Sequence, residues 1–143
     1  MLIDLHAHCT ETQHCFFDAH DVITTAKKAG LDGVVFTDTS FHEDAEDLRG
    51  FGKEHGLTVL FGREVYTKSG HVLLYAPDYA ALRDLPWPAG DLPSPDAVIE
   101  HANKIGGAAV AAHPYCRENE NPMGDAIFTL KGLGAIESEN ATR

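Results

Sequence analysis

Short apolar runs along the chain alternate with segments whose apolar positions recur at helical spacing, the pattern of repeating β/α units. LIDL, near the start, predicts a first strand. In DVITTAKKAG, Val22, Ile23, Ala26 and Ala29 share one helical face, and Gly30 stands where a C-terminal cap belongs. GVVFTD predicts a second strand. EDAEDLRGFGKEHG opens with acids suited to the positive end of a helix dipole and closes on Gly56, while Gly50 and Gly52 weaken the helix from within. LTVLFGREVYT predicts a third strand, which KSG turns back into HVLLYA as a hairpin.

PDYAALRDLPWPAGDLPSP interrupts the alternation with most of the chain's prolines and predicts a loop. Beyond it Ser94 is placed to cap a helix with Pro95 at its first position and Val98, Ile99, Ala102 and Ile105 on its apolar face. GGAAVAAH has strand length and small side chains, which suit a strand buried between helices. GDAIFTLKGLG predicts a short helix and AIESEN a last strand.

The length of 143 residues suits one domain spanning 1–143. Acidic residues outnumber basic ones 22 to 11, for a formal charge of -11. That balance excludes an extended nucleic-acid surface, so an anionic substrate has to be attracted by metal ions or a few local cations. Cys9, Cys15 and Cys116 form no CxxC pair and no even set, which points to a reducing compartment rather than a disulfide framework. With only strand-length apolar runs and no basic, apolar leader, the chain reads as cytoplasmic, with no membrane partner.

Ligand-type side chains gather at the ends of the predicted strands. The first ends in Asp4, His6 and His8, the second in Asp38, the third in Glu64, the small-residue strand in His113 and the last in Glu137. Alternate side chains of a strand share a face, so His6 and His8 aim at one point. In parallel β/α architectures the C-terminal strand ends share one rim, where active sites are built. His71 starts its run instead of ending it, and its place depends on the hairpin. Imidazole and carboxylate donors without patterned thiolates favour Zn, Mn or Fe. A carboxylate such as Glu64 can bridge two ions, and two ions about 3.5–4 Å apart suit an in-line displacement at phosphorus.

DLHAH, FTD, GREV, GHVLLY and AHP, in this order and approximate spacing, resemble the motifs of the PHP family, named for polymerase and histidinol phosphatase. The resemblance covers nearly the whole chain. It implies an α/β fold, a distorted (βα)7 TIM-like barrel of the PHP type, with metal ions used to hydrolyse phosphate esters. It also implies that His6, His8 and Glu64 hold one ion and Glu64, His71 and His113 a second. His14 falls where the family places a ligand for a third.

The sequence departs from the family's pattern twice. The second motif usually reads Thr-Asp-His, and Thr37-Asp38-Thr39 offers a hydroxyl in place of the imidazole. A closing Asp-x-His motif is absent before Arg143. The implied barrel is therefore C-terminally truncated, its third site empty and two ions bound. Strand edges left open in such a barrel suit either a fragment of a longer protein or a homo-oligomer.

Other candidates have plainer readings. His20, His42, His55 and His101 suit solvated positions on helical polar faces or near helix ends, although His42 follows Asp38 closely enough to replace the imidazole missing at Thr39. Cys9 and Cys15 read as small buried hydrophobes rather than thiolate ligands. Asp4 and Asp38 suit groups that stand behind the ligands and orient an imidazole through its other nitrogen. Arg117, soon after His113, is the cation best placed to hold a substrate phosphate.

These features predict a metal-dependent phosphoesterase with Glu64 and His113 as catalytic residues. A metal-bound hydroxide attacks a small phosphomonoester, a nucleotide or a short oligonucleotide. One alternative is a catalytically impaired metal-binding or interaction module of the same type. Another is an amidohydrolase-type enzyme, which shares the His-x-His start but usually places a lysine at a strand end, where this chain has none.

Overall fold

Ladder hydrogen bonds sort the strands into two separate sheets. The computed structural model describes residues 1–13, 15–88, 90–116 and 121–139. The chain divides into two compact units, Met1–Arg63 and Glu64–Arg143.

The first unit runs β1 (Ile3–Ala7), α1 (Ala19–Lys28), β2 (Gly33–Phe36), α2 (Ala45–Glu54) and β3 (Thr58–Phe61). Its sheet has the order β1-β2-β3, and both pairings are parallel. The central strand β2 is buried at every position, as an apolar run without alternation requires. Around it Ile23, Leu48, Val59 and Phe61 complete the core. Helix α1 starts ahead of its apolar stripe because the Asp18 carboxylate accepts the His20 N–H at 2.8 Å and so caps the first turn. Gly52 has a packing role in α2. A Cβ there would lie 2.3 Å from Val59 Cγ2 and 2.9 Å from the Leu57 carbonyl, so the residue that weakens the helix also lets it approach β3.

The second unit contains β4 (Arg63–Tyr66), which starts at the boundary, then β5 (His71–Tyr75), α3 (Pro95–Lys104), β6 (Ala108–Ala112) and β7 (Ala135–Ile136). The sheet order is β4-β5-β6-β7, with β6 antiparallel to β5 and parallel to β7. The expected hairpin is present. Thr67 closes the turn between β4 and β5 by donating its N–H and its hydroxyl to the Gly70 carbonyl, at 3.0 and 2.6 Å. Ser94 caps α3 as expected, its Oγ accepting the Ala97 N–H at 3.2 Å. The predicted proline-rich loop holds a short 3-10 turn over Tyr79–Leu82, whose Tyr79 and Leu82 are buried, and a second such turn spans Gly124–Phe128.

The expected (βα)7 TIM-like barrel, whole or truncated, is not formed. Among the described residues seven strands fall into sheets of three and four, three α-helices accompany them, and no barrel closes. A β/α barrel needs parallel strands joined by crossovers of about a dozen or more residues. The run LTVLFGREVYT, expected as one strand, instead breaks at Gly62 into β3 and β4, which leaves no room for a crossover. Strand β5 then runs against β6. Among the described residues no helix is long and apolar enough to cross a membrane.

Candidate metal centre

The antiparallel register of the second unit explains why His71 begins its strand. Its Cα partner on β6 is Ala112, so the start of β5 lies beside the end of β6, where His113 follows. Glu64, on the adjacent strand β4, is nearly buried. One of its oxygens, Oε1, lies 3.0 Å from His71 Nδ1 and 3.2 Å from His113 Nε2. The two imidazoles meet edge to face at 5.1 Å between ring centres. Glu64, His71 and His113 thus form a group whose ligand atoms all lie within 4.8 Å of one another. One carboxylate and two imidazoles make a donor set of the kind that holds Zn, Mn or Fe.

Two further residues brace this group, Tyr66, which is not among the expected site residues, and Glu137, expected there as a strand-end acid. Tyr66 stacks on the His71 ring at 4.1 Å and 21°. It sits two residues after Glu64 on the same strand, and the period of two was the signal that could have revealed it. Glu137 Oε2 accepts the main-chain N–H of His113 at 2.7 Å. His113 has φ +27°, a left-handed conformation that costs a residue with a Cβ energy. The Glu64 carboxylate raises the His113 imidazole above its ordinary pKa, against the opposing pull of burial. A cleft of about 140 Å³ beside His113 is lined by Pro114, Tyr115, Cys116, Glu137 and Glu139.

In the first unit, His6 and His8 bring their Nε2 atoms to 2.9 Å, with ring centres 4.8 Å apart. The β1–β2 register shifts between Asp4 and Ala7. At this irregularity Asp4 Oδ1 accepts the His6 main-chain N–H at 3.0 Å, a bond to backbone. Asp38, fully buried, has a different place. Its Oδ1 accepts the Thr12 hydroxyl at 2.6 Å and the Cys9 N–H at 2.8 Å. Thr12 gives its one proton to that carboxylate, so its oxygen accepts from His8 Nδ1 at 3.1 Å and from Thr39 N–H at 3.1 Å. A neutral His8 therefore carries its proton on Nδ1 and turns the lone pair of Nε2 toward His6.

His42 is not the solvated side chain expected. It is 2 % exposed and packs against the rings of Phe36 and Phe61, with Nε2 2.9 Å from Asp38 Oδ2. Burial is the largest single effect and opposes charge on both partners, but their mutual hydrogen bond and the other polar contacts around them together outweigh it. His42 is pushed up to about 10, and Asp38, bonded also by Thr12 and Cys9 and with His8 Nδ1 3.8 Å away, is held well below the usual carboxylate range. Burial lowers the pKa of His101, also expected in solvent, with Lys104 adding to the effect. Cys9 is buried, as expected. His14 and Arg117 lie outside the described residues.

No family model matches the chain. It is 30% identical over 131 residues to the uncharacterized protein MJ1587 of Methanocaldococcus jannaschii, a match spanning 87% of this chain and 67% of that protein. Among solved structures it is similar to a Bifidobacterium adolescentis protein assigned as a metal-dependent phosphoesterase. That likeness has a TM-score of 0.70 at 20% identity and covers 94% of this chain and 76% of the other. An amidohydrolase from Chromobacterium violaceum, solved with bound sulfate and no metal, has a TM-score of 0.65 at 16% identity, over 95% of this chain and 76% of the other. At these identities the likeness is one of fold.

Proposed function

The chain belongs to one family with the Methanocaldococcus jannaschii protein MJ1587, and from its own side chains we propose that it is a divalent-metal-dependent hydrolase of phosphate esters, of the PHP type. Glu64 carries this reading, through the single carboxylate oxygen that faces His71 Nδ1 at 3.0 Å and His113 Nε2 at 3.2 Å. Glu64, His71 and His113 hold one ion, and His6 and His8 are ligands of another. A bound divalent ion supplies Lewis acidity toward a phosphoryl oxygen and toward water.

The chain's own groups do the positioning. Tyr66 fixes the His71 ring by stacking, and Glu137 fixes the backbone from which His113 projects. The cleft beside His113 is small, in keeping with a phosphomonoester, a nucleotide or the end of a short oligonucleotide. Its Glu137 and Glu139, like the formal charge of -11, disfavour an approaching phosphate unless a cation offsets them. Arg117 is proposed as a further cation for the phosphate. Three free cysteines fit a reducing, cytoplasmic setting.

Amide hydrolysis is the second reading, favoured by the likeness of fold to the Chromobacterium violaceum amidohydrolase. A screen of wild type and His113→Ala with added manganese or zinc, against phosphate esters and amides, tests both. Hydrolysis of phosphate esters by wild type only, with both proteins equally folded by circular dichroism, is expected. Equal rates in the two proteins overturn the role of His113. Turnover of amides alone replaces the first reading with the second, and metal binding without any turnover leaves a binding module.

A further inference from the structure

A second group of ligand atoms lies wholly within the first unit. Cys9 Sγ is 3.7 Å from His42 Nε2 and 3.4 Å from Asp38 Oδ2, and these last two atoms are 2.9 Å apart. All three residues are at most 2 % exposed. We infer that Cys9, Asp38 and His42 form a buried zinc site, separate in its ligands from the Glu64, His71 and His113 group, that ties the segment after β1 to the segment after β2.

Bond lengths of about 2.3 Å for Zn–S and about 2.0–2.2 Å for Zn–N and Zn–O, at tetrahedral angles, require ligand atoms about 3.4–3.6 Å apart. Both edges to the sulfur lie within about 0.2 Å of that range. The Asp38–His42 edge has hydrogen-bond length and widens by about half an ångström when an ion replaces the shared proton. Three residues supply three corners of the tetrahedron, and water takes the fourth.

The atoms behind the ligands are also tied down. His42 Nδ1 lies 3.2 Å from Asp44 Oδ1, which leaves Nε2 as the metal-facing nitrogen. Asp38 Oδ1 is occupied by the Thr12 hydroxyl and the Cys9 N–H, which leaves Oδ2 to face the centre. Outer-shell bonds of this kind fix tautomer and orientation at metal sites. A thiolate in the set distinguishes this site from the nitrogen and oxygen donors of the second unit, and it favours zinc over manganese.

Cobalt(II) titration of the metal-free full chain tests the inference, because a cobalt–thiolate bond gives an intense near-ultraviolet charge-transfer band. Wild type is expected to show that band. Cys9→Ser should lose it, while Cys15→Ser, Cys116→Ser and His113→Ala keep it. Should Cys9→Ser fail to fold, His42→Asn leaves the thiol in place and is expected to weaken the cobalt affinity behind the band about tenfold or more. Absence of the band from wild type, whether or not cobalt binds elsewhere, overturns the site. So does a band that survives Cys9→Ser or one whose affinity His42→Asn leaves unchanged.

Discussion

Glu137 on the segment after β7 accepts the main-chain N–H of His113 at 2.7 Å, and so holds in place the backbone of a residue whose φ is +27°. The next N–H along that segment's ladder, from Glu137 itself, bonds the Ala111 carbonyl at 3.0 Å. The two bonds tie the end of β6 to this one residue. Glu137→Ala is expected to lower stability by about 1–2 kcal/mol, since a charge-assisted hydrogen bond is lost at a half-buried position. It should also weaken zinc or manganese binding by at least about tenfold. Glu137→Gln keeps an acceptor and should recover most of both. Urea unfolding and calorimetric metal titration of the three proteins read the two effects separately.

The left-handed backbone at position 113 reverses an ordinary preference. In most settings alanine is the more stable replacement, but here a Cβ meets the cost that glycine escapes. His113→Gly should therefore be more stable than His113→Ala by about 1 kcal/mol, although both lose the imidazole. Equal unfolding midpoints for the two variants would show that the φ of this residue relaxes without cost.

Gly70 carries φ +74°, and a Cβ on it would lie 2.8 Å from both the backbone nitrogen and the Cβ of Met123. Gly70→Ala thus combines backbone strain with a clash against main chain, and about 2–3 kcal/mol of destabilisation is expected. Because the turn sets where β5 begins, His71 should move with it. Metal affinity falling in step with stability is the result to look for in the calorimetric titration.

Metal itself should stabilise the fold. Zinc or manganese at about 100 times its dissociation constant is expected to add about 2.7 kcal/mol to wild type, and chelation to remove it. His113→Ala should lose the part of this gain that arises in the second unit. Differential scanning calorimetry with and without chelator measures it, and an unchanged midpoint in wild type counts against metal binding by the native chain.

His101 supplies a pH dependence of known sign. Burial, assisted by Lys104, lowers the pKa of its imidazole, which meets Trp87 edge to face at 5.6 Å. The folded state therefore favours the neutral ring. The associated stability is present above the unfolded imidazole value of about 6.5 and is lost as pH falls through the lower folded value. The stability advantage of wild type over His101→Gln should shrink between about pH 7.5 and about pH 5. A constant difference across that window would mean that His101 titrates alike in both states.

Local signals in the chain were enough to find most of the elements and the donor residues that the second unit brings together, Glu64, His71 and His113. Ser94 and Pro95 start α3 where expected, and the unbroken GVVF run becomes the fully buried β2. His71 was harder to place, because a residue opening a strand joins the end of another only if the two run in opposite directions, and direction is set by pairing rather than composition. The barrel expectation failed at Gly62, where a continuous apolar run conceals a change from one sheet to another. His42 was misjudged because its burial comes from Phe36 and Phe61, which are remote or on a different element. Glu137 stood out as a strand-end acid, but its bond to a backbone N–H 24 positions away has no sequence pattern.

The strained backbone at His113 also bears on how such a chain would diverge. A lineage selected for heat resistance alone sheds that strain by replacing the imidazole with glycine, but gives up with it the bond to Glu64 and any stability a bound metal supplies. Relatives carrying glycine at this place would mark descendants in which chemistry was abandoned before the scaffold was, and their melting points should exceed those of relatives carrying alanine there.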